Sequence, residues 1–376
     1  MLGVTLSVLG PSASYLEDHL GVGPGMIGVL FAGSAVGNFA GAIVGGRSIV
    51  RVGGHPTLLA GLVGFVLGVG LLAAASSFAV AATGAGVIGA TPGLADAGMN
   101  TMVVWSRLGS SGPALNALHL SFGVGALMAP LAVDRSLAYV DDLWLVVAFV
   151  VVLGGVSATL LRRHDPPDPP TVDDHATRPP LDTSSTLVVA VFFLLYVGAE
   201  MGFAGWIFTY SEDGGLSGST PAIVTALFWG AFSLGRLLAI PTSRVTSPRT
   251  IVFGSCAFSV LALVPMVIAD GAEWSIWVGA FLYGLGAGPQ YPTMIAMVDE
   301  RTSLTARATS WIVGAAAIGA LVVPTGIGPL IESTGSSVMP IVVLSVSGIT
   351  LVWAVVVSRR ISRASAPGRT AVVRPA

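Results

Sequence analysis

The chain has 376 residues, of which 53% are hydrophobic and 10% charged, with a formal net charge of -2. Soluble domains carry roughly a quarter charged residues, so this composition excludes a water-soluble globule and points to an integral membrane protein. No basic surface suggests nucleic-acid binding, and a single cysteine, Cys256, excludes an intrachain disulfide and offers no metal site.

In chain order, apolar stretches run over 2–16, 25–46, 57–76, 79–104, 114–132, 141–161, 186–210, 220–241, 250–269, 274–297, 308–330 and 338–357. A helix needs about 20 apolar residues to cross a bilayer, and these stretches predict twelve membrane spans. The boundary between spans 3 and 4 is marked only by Ser76 and Ser77. Span 1 is short, with about 15 apolar residues before Glu17 and Asp18, and an N-terminal extension carrying positive charge is expected ahead of it. A cleavable signal is the alternative for 1–16, but the stretch lacks a basic leader.

All seventeen basic residues are arginine. Arg47 and Arg51 lie between spans 2 and 3, Arg107 between 4 and 5, and Arg162, Arg163 and Arg178 between 6 and 7. Arg244 and Arg249 lie between 8 and 9, Arg301 and Arg307 between 10 and 11, and Arg359, Arg360, Arg363, Arg369 and Arg374 follow span 12. The opposite gaps hold only Arg135. By the positive-inside rule the arginine-bearing gaps and both termini are expected on the cytoplasmic side of the cell membrane.

The segment 162–185 is rich in proline and aspartate and has no apolar face to bury, so it reads as a cytoplasmic linker. It divides the chain into a six-helix bundle over 1–161 and another over 186–358, with a basic tail over 359–376. The halves repeat one another weakly. Gly125-Ala126-Leu127-Met128-Ala129-Pro130 in span 5 is answered by Gly319-Ala320-Leu321-Val322-Val323-Pro324 in span 11. Leu30-Phe31-Ala32-Gly33 with Gly37-Asn38 in span 2 is answered by Leu227-Phe228-Trp229-Gly230 with Gly235-Arg236 in span 8. The expected fold is therefore an all-α integral membrane protein of twelve transmembrane helices in two pseudo-symmetric six-helix bundles. Two parallel halves around a midplane site are the plan of many secondary transporters.

Asp96 and Glu200 are the two carboxylates deep within spans, one in each half, and both fall roughly 15 to 20 Å from the arginine-bearing ends at 1.5 Å per residue. An ionised carboxylate at that depth costs at least ~2.5 to 3.5 kcal/mol, so it faces a cavity, finds a partner or takes up a proton. Either group suits ion coupling, and a hydrogen bond that merely assembles neighbouring helices is the alternative for each. Around them, Asp96 and Asn100 share a face of span 4, Ser34 and Asn38 a face of span 2, and Tyr196, Glu200 and Phe203 a face of span 7. Trp206 and Tyr210 lie one step around, and Gln290 and Tyr291 precede Pro292 in span 10. Hydroxyl groups of a sugar want amide and carboxylate partners, while its C–H faces settle on aromatic rings. For Trp206 and Tyr210, anchoring at the membrane interface is an equal alternative. Asn116 and His119 lie near the arginine-bearing end of span 5, where His119 either relays protons or bonds neighbouring helices. Arg236 and Arg51 are assigned to a cytoplasmic gate.

The stretches Gly93-Leu94-Ala95-Asp96-Ala97-Gly98-Met99-Asn100, Leu115-Asn116-Ala117-Leu118-His119 with Phe122-Gly123, Tyr196-Val197-Gly198-Ala199-Glu200, Gln290-Tyr291-Pro292-Thr293 and Ser310-Trp311-Ile312-Val313 carry a further signal. Through them the chain resembles the major facilitator superfamily, and within it the branch of fucose-proton symporters and sodium-dependent glucose transporter-like proteins. The resemblance implies alternating access and a small-molecule solute. Two departures stand out: Val50 occupies the place of the aspartate expected before Arg51 in the superfamily's signature, and span 1 lacks the acidic residue of fucose-proton symporters.

The sequence therefore predicts a secondary transporter for a small polar solute, with a sugar favoured. It is expected to act as a monomer in the bilayer without cofactor or metal, coupled to protons through Asp96, Glu200 or both, with sodium as the rival ion. Export of amphipathic compounds is the alternative function. A membrane enzyme would need a nucleophile and base or a metal cluster at depth, and a nutrient sensor would append a signalling domain that the tail is too short to form.

Overall fold

A computed structural model describes residues 1–105, 112–164, 181–300, 302 and 306–364, with their side chains except at 50, 96–98, 100, 101, 103–105, 112–120, 306, 307, 363 and 364. Its helices are α1 (Leu2–Ser7), α2 (Ala13–Leu20), α3 (Pro24–Val52), α4 (Gly54–Ala73), α5 (Phe78–Trp105), α6 (Gly112–Val140) and α7 (Trp144–Arg162) in the first half. The second half holds α8 (Thr183–Asp213), α9 (Thr220–Thr242), α10 (Pro248–Ile268), α11 (Glu273–Ala287), α12 (Gln290–Asp299), α13 (Ala306–Thr334) and α14 (Val338–Ala364). These fourteen helices make twelve spans, because α1 with α2 and α11 with α12 are each one span with a break. Among the described residues, nine helices are individually long and apolar enough to cross a membrane; the other three spans are the two broken ones and α6.

Each break has a local cause. Span 1 leaves the helix between Ser7 and Ala13, around Gly10-Pro11, because proline brings no N–H to the helical ladder. Gly10 also backs onto α8, where a Cβ would lie 2.8 Å from the Ala204 carbonyl oxygen. Span 10 breaks at Gly288-Pro289. Helix α8 starts ahead of its apolar stretch because Asp182 caps it, accepting from the Ser185 N–H at 2.9 Å and the Ser185 hydroxyl at 2.6 Å. Arg360, 3.7 Å from Asp182, holds the last turns of α14 against this cap.

Close packing through glycine repeats between the halves. In the first, span 2 lies on span 4, where a Cβ on Gly41 would collide with the Ala90 carbonyl, and span 5 lies on span 1, where a Cβ on Gly3 would collide with the Phe122 carbonyl. In the second, span 8 lies on span 10 with Gly235 against the Leu285 carbonyl, and span 11 on span 7 with Gly319 against the Leu194 carbonyl. The same pairs of spans touch in the same way, which is the pseudo-symmetry that the sequence repeats announce.

Two seams join the halves, α3 against α13 and α6 against α9. At the first, the Gly25 N–H donates to Glu332 at 3.1 Å, and Gly28 lies against Thr325. Phe31 meets Trp206 edge-on at 5.4 Å. At the second, Leu127 lies on Gly230, Gly123 on Ser233, and Phe122 meets Trp229 edge-on at 6.1 Å. The Ser14 hydroxyl also donates to Glu212 across the halves. These contacts close the molecule at the end opposite the arginines.

Candidate functional site

Helix α8 is enclosed along most of its length, and Glu200 lies near its middle at 9% exposure. Tyr196 stands one turn before it on the same face of α8, and the guanidinium of Arg236 acts on the carboxylate electrostatically from α9. Tyr196 and Arg236 also share a second task. The Tyr196 hydroxyl donates to the Ala287 carbonyl at 3.1 Å, and Arg236 Nε donates to the Gly288 carbonyl at 3.2 Å. Both acceptors belong to the break in span 10.

The reason lies in the sequence of that break. A helical carbonyl is bonded by the N–H four residues on, and for Gly288 that position is Pro292, which has none. Arg236 supplies the missing donor. Its guanidinium also lies 4.4 Å from the centre of the Phe232 ring, one turn earlier on the same helix. Gln290, the first residue of α12, turns its amide back: Nε2 donates to the Gly286 carbonyl at 3.2 Å and to the Ser259 hydroxyl at 2.9 Å, while Cys256 Sγ reaches Oε1 at 3.4 Å. Three successive carbonyls at the break are thus bonded by side chains from three elements.

Gln290 and Tyr196 border a polar cavity of about 10 Å³, which they share with Cys256, Ser259, Tyr283, Ser347 and Thr350. That is room for about one water molecule, inside the second half. A larger cavity of about 430 Å³ lies in the first half among α1, α4, α5, α6 and α7. Its walls include Leu58, Leu62, Phe122, Met128 and Phe149, and such an apolar lining offers little to a hydroxylated solute.

The other predicted residues are placed as follows. Tyr291 is half-buried, its ring 4.5 Å from Phe193 and 6.3 Å from Tyr196, in an aromatic cluster on the arginine-bearing side of Glu200. Trp206 is fully buried and donates through Nε1 to the Pro324 carbonyl at 2.8 Å, so it faces α13 rather than lipid. Tyr210 is likewise enclosed, donating to the Met266 carbonyl at 3.2 Å. Asn38 is half-buried on α3, where its carbonyl meets Gly93 of α5. Arg51 is exposed at the end of α3. The side chains of Asp96, Asn100, Asn116 and His119 lie outside the described residues; the main chain carries the first two on α5 and the others on α6. The structure thus brings Tyr196, Glu200, Arg236, Gln290 and Tyr291 together around the span 10 break.

Sequence reasoning set Phe203 beside Glu200 but passed over Phe228 and Tyr283 as its partners; the three rings lie 4.7 to 6.0 Å apart on the far side of Glu200. Spacing does place Phe203 on the Glu200 face, but Phe228 and Tyr283 come from other helices and give no local signal.

A twice-repeated bundle of twelve spans, with a carboxylate enclosed at mid-depth beside a broken helix, is the build of a membrane transporter. The chain belongs to the major facilitator superfamily, whose sequence profile matches residues 1–324. It is similar to sodium-dependent glucose transporter 1A of Mus musculus, 24% identical over 374 residues, which cover 88% of this chain and 87% of that protein. It is also similar to sodium-dependent glucose transporter 1 of Xenopus laevis, 24% identical over 87% of this chain and 73% of the relative. The human protein of the same name is 21% identical over 88% of this chain and 71% of its own length.

Proposed function

We propose that the protein is a secondary active transporter that carries a small polar solute, a sugar in the first place, across the cell membrane by alternating access. The arginine-bearing end and both termini face the cytoplasm, and the monomer is the working unit. The observation that carries this reading is the enclosed Glu200 with Tyr196 and Arg236 at the span 10 break. The names of the relatives support a hexose as the solute and make sodium the ion to test beside the proton.

Coupling follows from the hydrogen-bond arithmetic around Glu200. The Tyr196 hydroxyl has one proton to donate; it goes to the Ala287 carbonyl, and the Glu200 carboxylate, one turn on along the same helix face, competes for it. With Glu200 ionised, the hydroxyl is drawn to the carboxylate. With Glu200 protonated, it is free to hold Ala287, and the break in span 10 gains a bond. The charge on Glu200 thereby changes how firmly a transport helix is held at its weakest point. Asp96 supplies the corresponding charged group in the first half.

Proteoliposomes loaded with the purified protein test this with labelled D-glucose under inward proton or sodium gradients. Asp96→Asn is expected to abolish gradient-driven accumulation while leaving exchange, and Glu200→Gln to weaken binding more than it uncouples. Accumulation unchanged in both variants would show that the carboxylates are structural and the coupling assignment wrong.

A further inference from the structure

Trp229 of α9 has 1% exposure, and its Nε1–H has no hydrogen-bond partner among the described residues. Leaving such a donor unmet is costly. The rings packed around it, Phe122, Phe228 and Phe232, offer the N–H no carbonyl, hydroxyl or carboxylate acceptor. A buried donor without a partner at a moving interface points to another state in which it finds one.

Its position names that state. Trp229 sits on the seam between α6 and α9, one of the two main seams where the halves meet and must shift if they are to rock. Ser233 and Arg236 follow it at helical spacing and address the same neighbour: Ser233 packs on Gly123, and the Arg236 guanidinium lies 5.8 Å from the centre of the Phe122 ring. The Ser233 hydroxyl donates to the Trp229 carbonyl at 2.9 Å, so its lone pairs remain for an outside donor. The stripe thus offers an indole N–H, a hydroxyl acceptor, a guanidinium and ring faces.

That set matches a polyhydroxylated ring, whose oxygens accept and donate and whose C–H faces lie on aromatic rings. We propose that the α6-facing stripe of α9 is a solute-contact surface and that Trp229 Nε1–H donates to a hydroxyl oxygen of the bound sugar when the seam opens. The proposal rests on the transporter reading above and adds residues to which that reading assigns no solute contact.

Titration of D-glucose into the wild type and Trp229→Phe in nanodiscs, with the melting temperature of each, tests it. The expected result is affinity at least tenfold weaker in Trp229→Phe, while the melting temperature reports separately the packing lost with the smaller ring. Should that variant fail to fold, benzothienylalanine at position 229 replaces the N–H with sulfur at the same shape and is expected to give the same loss. Affinity within twofold of the wild type in either variant overturns the proposal and leaves the transporter reading standing. A wild type that binds no glucose brings down the sugar assignment, and this proposal with it.

Discussion

Glu17, just past the apolar stretch of span 1, occupies a half-buried corner at the acidic end together with Asp18, Glu212, Asp213 and Glu332. Burial, followed by these like charges, pushes its carboxyl from 4.5 up to about 7. In the unfolded chain the group titrates in its ordinary range. Between these values the folded protein keeps a proton that the unfolded chain has released, so the resulting stability is complete in acid and is lost as pH rises through about 7. Glu17→Gln is therefore expected to raise the melting temperature by about 2 °C or more at pH 8 and to leave it unchanged at about pH 4, below the unfolded value, as read by scanning fluorimetry. At this scale the candidate site was half legible. The four-residue spacing of Tyr196 and Glu200 is enough to set them on one face of a helix. Arg236 was not legible in the same way, because its partner is a main-chain carbonyl on another span. Nor was the direction of Gln290, since its place in sequence says nothing of how α12 is rotated about its axis.

The helices themselves were written plainly in the apolar runs, because a bilayer demands about 20 such residues wherever the chain crosses. The interruptions were less plain. Gly10-Pro11 and Gly288-Pro289 break their spans, yet Pro92, Pro130 and Pro265 sit inside continuous helices. Gly328-Pro329 has the same two residues in the same order and stays within α13, so the dipeptide alone does not decide and the tertiary surroundings do. Packing through glycine gives a test within one helix. A Cβ on Gly41 of α3 would drive into the Ala90 carbonyl, while one on Gly46 of the same helix meets nothing within 4 Å. Gly41→Ala is expected to destabilise by about 1 to 3 kcal/mol, in the manner of an overpacked core. Gly46→Ala is expected to be neutral or to stabilise by about 0.5 to 1 kcal/mol, because alanine is the better helix former. Melting curves in detergent compare the two directly.

Over the whole molecule the charges divide between the ends: arginines gather at one, and Glu17, Asp18, Asp141, Asp142, Glu212, Asp213, Asp270, Glu273 and Glu332 at the other. Ser184 and Ser217 are exposed and lie at opposite ends of α8. Single cysteines at these positions, in a background lacking Cys256, are expected to react with an impermeant thiol reagent from opposite sides of the membrane. Labelling from the same side would remove the twelve-span arrangement. Arg236 and Pro292 stand on different spans, yet the donor that proline withholds from Gly288 is the one that the arginine provides. Over evolutionary descent this binds the two positions as a pair. A lineage that replaces Pro292 restores a main-chain donor and releases position 236 to drift, whereas one that keeps the proline and loses the arginine leaves a carbonyl stranded where no water reaches it.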